Sequence, residues 1–429
     1  MGLRQSYCRG RSPSWPINLG LFMAPLLNQL SNLSAEVRQY LIVTGNYWAF
    51  TLTDGALRML VVLYFHQLGY SPLKIAMLFL FYEIFGVITN LLGGWLGARL
   101  GLNTTMNIGL AIQIVALSML LVPSSMLTVV WVMVAQALSG VAKDLNKMSA
   151  KSAIKNLVPV NAENTLFKWV AMLTGSKNAL KGVGFFLGGF LLTTLGFRDA
   201  VLAMTVVLFI VWVFSLIFLK GDLGKSSLKP KFTEILSKSR SINILSVARL
   251  FLFGARDVWF VVALPVYLTQ TLGWQHWSIG TFFACWLIGY GFIQSLTPII
   301  TGAQSGDIPN GRAAAGWASV LIIITAFIVA ALITDYQISY TLIGGLMLFG
   351  AVFAVNSSIH SYLIVSYSQA ENVSMDVGFY YMANAMGRLL GTVLSGVVFQ
   401  LYGLAACLLI SLIFLCIAAF VPLKLEVKQ

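Results

Sequence analysis

Two stretches of the chain, KGVGFFLGGFLLTTLG (181–196) and RLLGTVLSGVVFQLYG (388–403), share a basic residue and a spacing of glycines. At an offset of 207 residues Lys181 aligns with Arg388, and three glycines of the first stretch align with glycines of the second. The glycine pairs are Gly184 with Gly391, Gly189 with Gly396, and Gly196 with Gly403. A repeat at one offset indicates that two copies of one structural unit follow each other in the chain.

The chain around these stretches is strongly apolar. Of its 429 residues, 58% are hydrophobic and 10% are charged, whereas soluble domains contain about 25% charged residues. Apolar runs of roughly 20 residues, enough for a helix to cross about 30 Å of hydrocarbon, lie near 41–66, 73–97, 104–123, 126–147, 166–195, 200–219, 242–269, 276–300, 313–334, 338–366, 376–401 and 404–423. We therefore predict an all-α polytopic membrane protein with about twelve transmembrane helices in two six-helix pseudo-repeat halves.

The basic residues predict the orientation of these helices. The net charge is +13, and most Lys and Arg residues lie near the termini, in a polar stretch near the middle, and in loops on the same side. The opposite loops contain little beyond Lys74 and Arg198. Since cytoplasmic loops carry the excess of Lys and Arg, both termini are predicted to be cytoplasmic. The distribution indicates contact with a lipid bilayer and gives no sign of nucleic-acid binding.

The polar segments divide the chain into five predicted parts. These are an N-terminal cytoplasmic segment (1–36), in which Met23 offers an alternative start, a six-helix half (37–219), a basic cytoplasmic linker (220–241), a second six-helix half (242–423) and a cytoplasmic tail (424–429). The sequence has no GxxxxGK[ST] motif, no metal-ligand spacing and no cluster with catalytic spacing. We predict no cofactor, no metal and no enzymatic activity, and we expect the chain to act as a monomer.

Eight charged residues lie deep in the predicted spans, where each costs roughly 2.5 to 3.5 kcal/mol to insert. They are Asp54, Arg58, Glu83, Lys177, Lys181, Arg256, Asp257 and Arg388. One interpretation is structural: Asp54 pairs with Arg58 one turn along the helix, and Asp257 pairs with a base on another helix. In the other interpretation, the bases outnumber the acids because these residues line a central cavity that binds an anionic substrate. Asn178 and Asn384 would then bond the hydroxyl groups of that substrate.

A stripe of lysines follows the fourth predicted helix. Lys143, Lys147, Lys151 and Lys155 recur every four residues and therefore share one helix face. We interpret the stripe mainly as solvated residues that anchor the helix at the cytoplasmic surface. The alternative is an electrostatic funnel that gathers an anionic metabolite. Arg249 is expected nearer the membrane surface and fits either group.

The sequence GWLGARLGLN (94–103) resembles the loop motif G-x-L-a-D-r-x-G-r-k of the major facilitator superfamily. Gly94, Arg99 and Gly101 match the motif, whereas Ala98 replaces its acidic residue. The resemblance implies the major facilitator fold, in which the substrate site lies between the two halves. The charge-relay latch attributed to this loop lacks its acidic member here.

Longer segments resemble the ArsJ-type organoarsenical efflux permeases, a bacterial branch of that superfamily. They are YLIVTGNYWAFTLTDGALRMLVVL (40–63), ALSGVAKDLNKMSAKSAIK (137–155), TGSKNALKGVGFFLGG (174–189) and RLFLFGARDVWFVVALPVYL (249–268). The resemblance implies a bacterial inner-membrane exporter of 1-arseno-3-phosphoglycerate, which confers arsenate resistance. That ester forms when glyceraldehyde-3-phosphate dehydrogenase uses arsenate in place of phosphate, which implies a functional link to the dehydrogenase. Another organophosphate or organic anion is the alternative substrate.

The superfamily's organophosphate antiporters suggest which residues hold the anion. In them one arginine from helix 1 and one from helix 7 bind the phosphate, and Arg58 and Arg256 are the corresponding candidates here. Lys177, Lys181 and Arg388 would add charge. The membrane potential favours export of an anion by roughly 2.3 kcal/mol per charge per 100 mV, so uniport suffices. Proton antiport is the alternative, with Glu83 or Asp54 as the titrating group.

Overall fold

The computed structural model of the protein consists of helices joined by short turns in the residues that it describes. These are 34–69, 78, 80–159, 162–219, 223, 225, 239–274, 276–303, 308–370 and 372–426. Most of the predicted segments 1–36 and 220–241, and the end of the tail 424–429, lie outside these residues. Within the described residues seven helices are long and apolar enough to cross a membrane, and two of these seven contain an interruption. The prediction of an all-α membrane fold is confirmed.

The helices of the first half are α1 (Ala35–Gln67), α2 (Leu80–Leu100), α3 (Leu102–Met119) and α4 (Val129–Leu157), followed by Glu163–Phe218. The last of these is interrupted at Gly196, so its parts are α5 (163–195) and α6 (197–218). A 3₁₀ turn, Ser124–Met126, precedes α4.

In the second half α7 consists of two pieces, Arg240–Phe260 and Ala263–Gln270. It is followed by α8 (His276–Ile300), α9 (Gly311–Ile333) and α10 (Ile338–Tyr367). The last long helix, Val373–Phe420, is interrupted at Gly403, so its parts are α11 (373–402) and α12 (404–420). A 3₁₀ turn, Val421–Lys424, follows.

The two interruptions fall on one of the glycine pairs of the sequence repeat. Gly196 has φ 76° and ψ 177°, and Gly403 has φ 77° and ψ −173°. This backbone region is essentially restricted to glycine because a Cβ would clash there. The aligned glycines therefore turn the chain in the same way in both halves.

A second aligned pair sets how closely helices approach within each half. A Cβ added to Gly184 would lie 2.8 Å from the carbonyl oxygen of Leu52, so α5 packs directly on α1. A Cβ added to Gly391 would lie 2.8 Å from the carbonyl oxygen of Gly254, so α11 packs directly on α7. The two halves thus repeat one helix contact as well as one turn.

The buried apolar residues show where the halves join. One cluster contains residues from the beginnings of α1, α3, α5, α7, α9 and α11 and from the ends of α4 and α10. We call this end of the bundle, where the odd-numbered helices begin, the basic end. Toward the other end the halves have separate cores, one within residues 50–208 and one within residues 252–418. The protein is therefore closed at the basic end.

Small residues let the halves meet. A Cβ on Gly94 of α2 would lie 2.6 Å from the carbonyl oxygen of Ser374 on α11, and one on Gly378 would lie 2.7 Å from that of Asn90. On the other side of the bundle, Gly175 of α5 lies directly against Gly291 of α8. Because close packing of helices in a membrane depends on small residues, α2 with α11 and α5 with α8 form the joint between the halves.

Candidate functional site

Asp257, on α7, holds two arginines. Its side chain is 0% exposed, and its Oδ1 accepts a hydrogen bond from Nε of Arg256 at 2.6 Å and lies 2.5 Å from Nη2 of the same guanidinium. Its Oδ2 accepts one from Nε of Arg388, on α11, at 3.1 Å. The structure therefore ties two of the predicted anion ligands to one carboxylate, and this group of three residues keeps one net positive charge.

Asp54, on α1, bonds to a neutral partner. Both of its carboxylate oxygens accept from the hydroxyl of Tyr82 on α2, at 2.9 and 3.1 Å. The guanidinium of Arg58 lies over the face of the same ring, 4.5 Å from its centroid. The expected pair of Asp54 with Arg58 is therefore wrong, because Tyr82 contacts each of them separately. The side chain of Glu83, the residue that follows Tyr82, lies outside the described residues.

The lysine stripe of α4 faces the interior of the bundle. Asp144, 1% exposed, bonds Lys147 at 2.6 Å and lies 3.9 Å from Lys143. Lys151 is 3% exposed and donates to the hydroxyls of Tyr381 and Ser361. The interpretation of these lysines as solvated anchors is wrong, because this face of α4 packs against α10 and α11 of the other half.

The end of the stripe contributes to the closure of the basic end. Lys155 donates from Nζ to the backbone oxygen of Ser366 on α10 at 3.0 Å. The carboxylate of Glu163, at the beginning of α5, accepts from Tyr362 and Ser366 at 3.0 and 3.1 Å. These bonds join the first half to α10 where the two halves share one core.

Arg249, on α7, is also buried, although the sequence placed it near the surface. It is 3% exposed, and its Nε donates to Oδ1 of Asn384 at 2.9 Å. Its Nη1 donates to Ser357 on α10, at 3.0 Å to Oγ and 3.2 Å to the backbone oxygen. Asn384, predicted as a substrate ligand, thus positions an arginine that the sequence analysis did not place among the deep charges.

Asn178 likewise bonds to the protein. Its Nδ2 donates to Oε1 of Gln294 on α8 at 2.5 Å, and Gln294 donates in turn to the hydroxyl of Tyr290 at 3.1 Å. Since α5 and α8 belong to different halves, this predicted ligand is part of the joint between them.

The two lysines of α5 lie among other cations. Lys177 is within electrostatic range of the lysines of α4 and of Arg388. Lys181 is in range of Arg58, Lys177 and Arg388, with Asp54 as its acidic neighbour. The fold thus brings bases from four helices together, although they are far apart in sequence.

Basic side chains dominate this region. Apart from Lys155, Glu163 and Asp376 at the basic end, nine basic and three acidic side chains are at least partly buried among those that the structure describes. The basic residues are Arg58, Lys143, Lys147, Lys151, Lys177, Lys181, Arg249, Arg256 and Arg388, and the acidic residues are Asp54, Asp144 and Asp257. We call this set the central charges. An arrangement with this excess of described bases over described acids suits a multiply charged anion.

The loop motif lies at the basic end of the bundle. Gly101, with φ 92°, immediately precedes α3, and Gly94 contacts α11. Arg99 is exposed, with its guanidinium 5.1 Å from the ring centroid of Trp95. Ala98 is 0% exposed and packs in one cluster with Met375 of α11. An apolar contact therefore occupies the position of the motif's acidic residue.

Residues 43–303 match the family model described as Major Facilitator Superfamily. The chain belongs to the Major Facilitator Superfamily. Its members with similar solved structures are transporters, so this family indicates a multi-pass membrane transporter of small substrates rather than an enzyme. A comparison with curated protein sequences gave no match.

The fold of this superfamily member is similar to several solved structures. The human organic anion transporter MFSD10 (TETRAN) has a TM-score of 0.71 at 16% identity, over 91% of this chain and 100% of that one. A bacterial homologue of the iron transporter ferroportin in an outward-facing state has a TM-score of 0.70 at 16% identity, over 90% and 98%. The transporter FucP in the outward conformation has a TM-score of 0.66 at 11% identity, over 89% and 97%.

Proposed function

We propose that this superfamily member is a secondary transporter that exports a small, multiply charged anion by alternating access. The observation that carries the proposal is the excess of basic over acidic residues among the central charges. Burying so many cations is costly unless they are paired, and an anion that carries several charges would supply the missing partners. No described residue supplies a carboxylate to Lys151 or Arg249.

The substrate that we propose is 1-arseno-3-phosphoglycerate. The sequence segments that resemble the organoarsenical efflux permeases include four of the helices that carry central charges. The compound has a phosphate group and an arsenate group, and the planar guanidinium of an arginine such as Arg58 can donate two parallel hydrogen bonds to the oxygens of either group. Export from a bacterial cell across its inner membrane, with both termini cytoplasmic, would confer arsenate resistance.

The structure has the features of one state of such a cycle. The halves are joined at the basic end and have separate cores toward the other end, so in the proposed orientation the site opens to the outside. Transport requires the opposite state, in which the bonds of Lys155 and Glu163 to α10 break. The membrane potential would drive an anion outward. For proton antiport Asp54 is the better described candidate, because its partner Tyr82 is neutral.

Growth on arsenate tests this proposal. An arsenate-sensitive bacterium would express the protein alone, with a glyceraldehyde-3-phosphate dehydrogenase, or with neither. We expect resistance only when both are present. Arg58→Gln should abolish it, whereas Arg38→Gln, at an exposed position of the same helix, should retain it. Immunoblots of membranes would establish equal insertion.

Two results would contradict the proposal at different levels. Full resistance with Arg58→Gln at equal insertion would exclude Arg58 as a ligand. Resistance without the dehydrogenase would point to another organophosphate or organic anion, moved outward or inward. Uptake of radiolabelled 3-phosphoglycerate into everted vesicles would test that alternative directly.

A further inference from the structure

Lys151 and Arg249 differ from the other bases among the central charges. They are the only described Lys or Arg residues that are buried, each at 3% exposure. Lys151 belongs to α4 of the first half and Arg249 to α7 of the second half. A buried cation is costly unless a carboxylate or a ligand compensates it. Two such residues from opposite halves therefore require an explanation.

Each of the two residues contacts one of two serines on α10 that are bonded to each other. Arg249 donates to Ser357 Oγ at 3.0 Å, and Lys151 lies 3.4 Å from Ser361 Oγ. Ser361 donates to the backbone oxygen of Ser357 at 2.9 Å, which links the two contacts one helical turn apart. Tyr381, on α11, bonds Lys151 and lies with its ring centroid 6.0 Å from the guanidinium of Arg249. The two cations thus lie side by side in a single network.

Every described partner in this network is neutral. The nearby acids are committed elsewhere: Asp144 bonds Lys147, and Asp257 bonds two other arginines. A guanidinium has five N–H donors, and the described hydrogen bonds of Arg249 use only Nε and Nη1. Nη2 therefore keeps its donors for a further acceptor. The ammonium of Lys151 holds only hydroxyl partners, which an anion can displace because a charged acceptor forms the stronger bond.

The network lies closer to the basic end than the rest of the central charges. Arg249 precedes Arg256 by seven residues on α7, which is about 10 Å along the helix axis. Lys151 lies one turn nearer the end of α4 than Lys147. The bases of the bundle thus form two levels, one around Arg58, Lys181 and Asp257 and one at Lys151 and Arg249.

We propose that Lys151 and Arg249 form a second anion subsite, so that the protein selects compounds with an anionic group at each end. This subsite rests on the proposed function. One anionic group of the substrate binds at the level of Arg58, and the other replaces Tyr381 and the serines as the partner of Lys151 and Arg249. An anion held by both residues also bridges the two halves directly. A substrate with one anionic group fills only the first level and binds more weakly.

Binding of two stable probes tests the subsite. 2,3-Bisphosphoglycerate carries two phosphate groups and a carboxylate, whereas glycerol 3-phosphate carries one phosphate as its single anionic group. Both affinities can be measured calorimetrically on the purified full-length protein. Wild type should prefer the two-phosphate probe at least tenfold. Lys151→Gln and Arg249→Gln should each weaken that probe at least tenfold and the one-phosphate probe less than threefold. Arg38→Gln, at an exposed position of α1, should change neither affinity by more than threefold.

The outcomes separate the subsite from the proposed function. If wild type binds neither probe, the anion-transport proposal fails and the subsite fails with it. If wild type binds both probes but does not prefer the two-phosphate compound, or if the glutamine variants keep the preference, the subsite is wrong while the proposed function stands. Should a glutamine variant fail to fold, Arg249→Lys retains the charge without the planar fork. We expect Arg249→Lys to weaken the affinity for the two-phosphate probe tenfold. An unchanged affinity of this variant would overturn the subsite.

Discussion

Replacing Asp257 by asparagine should destabilise the protein strongly. The carboxylate accepts hydrogen bonds from Nε of two arginines, at 2.6 and 3.1 Å, lies 2.5 Å from Nη2 of Arg256, and is 0% exposed. Asparagine offers one oxygen in place of two, and its amide group would point N–H donors at a guanidinium. Breaking a buried ion pair by removing one partner costs about 3–5 kcal/mol. We expect a loss in that range, because Arg256 and Arg388 then lose the carboxylate that they share.

A second substitution tests whether charge is the cause. Arg388→Gln in the Asp257→Asn background removes one of the two arginines that the carboxylate bonded. We expect the double variant to be more stable than the sum of the single effects predicts, by about 1–3 kcal/mol, which is the range seen for residues in direct contact. A loss of packing alone would give nearly additive effects.

The measurement is unfolding of the purified protein in detergent micelles, followed by the fluorescence of its 11 tryptophans. Asp335→Asn is the matched control, because Asp335 is exposed and has φ 53°, a conformation that asparagine also tolerates. Its effect should stay within about 0.5 kcal/mol. The reasoning is refuted if Asp257→Asn costs less than about 1 kcal/mol, or if the double variant shows no coupling.

Three further predictions concern the fold and its closure. Gly403→Ala should cost about 1–3 kcal/mol in the same unfolding assay because the φ of Gly403 is positive. The control is Gly396→Ala, which should be neutral or stabilising because Gly396 is helical with open space around it. Equal effects of the two substitutions would contradict the strain argument. Gly94→Ala should push α2 away from α11 and at least double the rate at which a cysteine introduced at the basic end is labelled. Gly344→Ala, whose added Cβ meets nothing within 4 Å, is the control and should leave the rate unchanged. Ala98→Asp should increase the labelling rate as well, because an unpaired carboxylate buried in the closed state costs several kcal/mol. A decrease in the rate would mean that the new aspartate restores the charge-relay latch of the loop motif.

The helices and the internal repeat could be predicted from the sequence because both depend on local properties. Apolar runs of spanning length have few alternatives to the helix in a bilayer. The glycines at 196 and 403 aligned at the offset of the repeat, and the structure gives both the same left-handed φ. Backbone conformations that only glycine tolerates leave a trace in the sequence without knowledge of what surrounds them.

The sequence likewise showed that charged residues lie deep in the spans, but it did not show which residues they contact. Asp54 and Arg58 are one turn apart and looked like a pair, yet Tyr82 on another helix contacts both. Helical spacing shows which residues share a face, but it does not show what lies opposite that face. The pairing depends on distances between helices that are far apart in the chain.

The lysine stripe and Arg249 show the same limit on a larger scale. Their types and positions along the helices suggested solvated residues near the membrane surface, and periodicity could not distinguish a face toward water from a face toward the other half. The sequence by itself determined that the chain forms membrane-spanning helices in two related halves with many bases among them. Only the tertiary structure decided that Lys151 and Arg249 belong to one network, because their helices come together only when the two halves pack at the basic end.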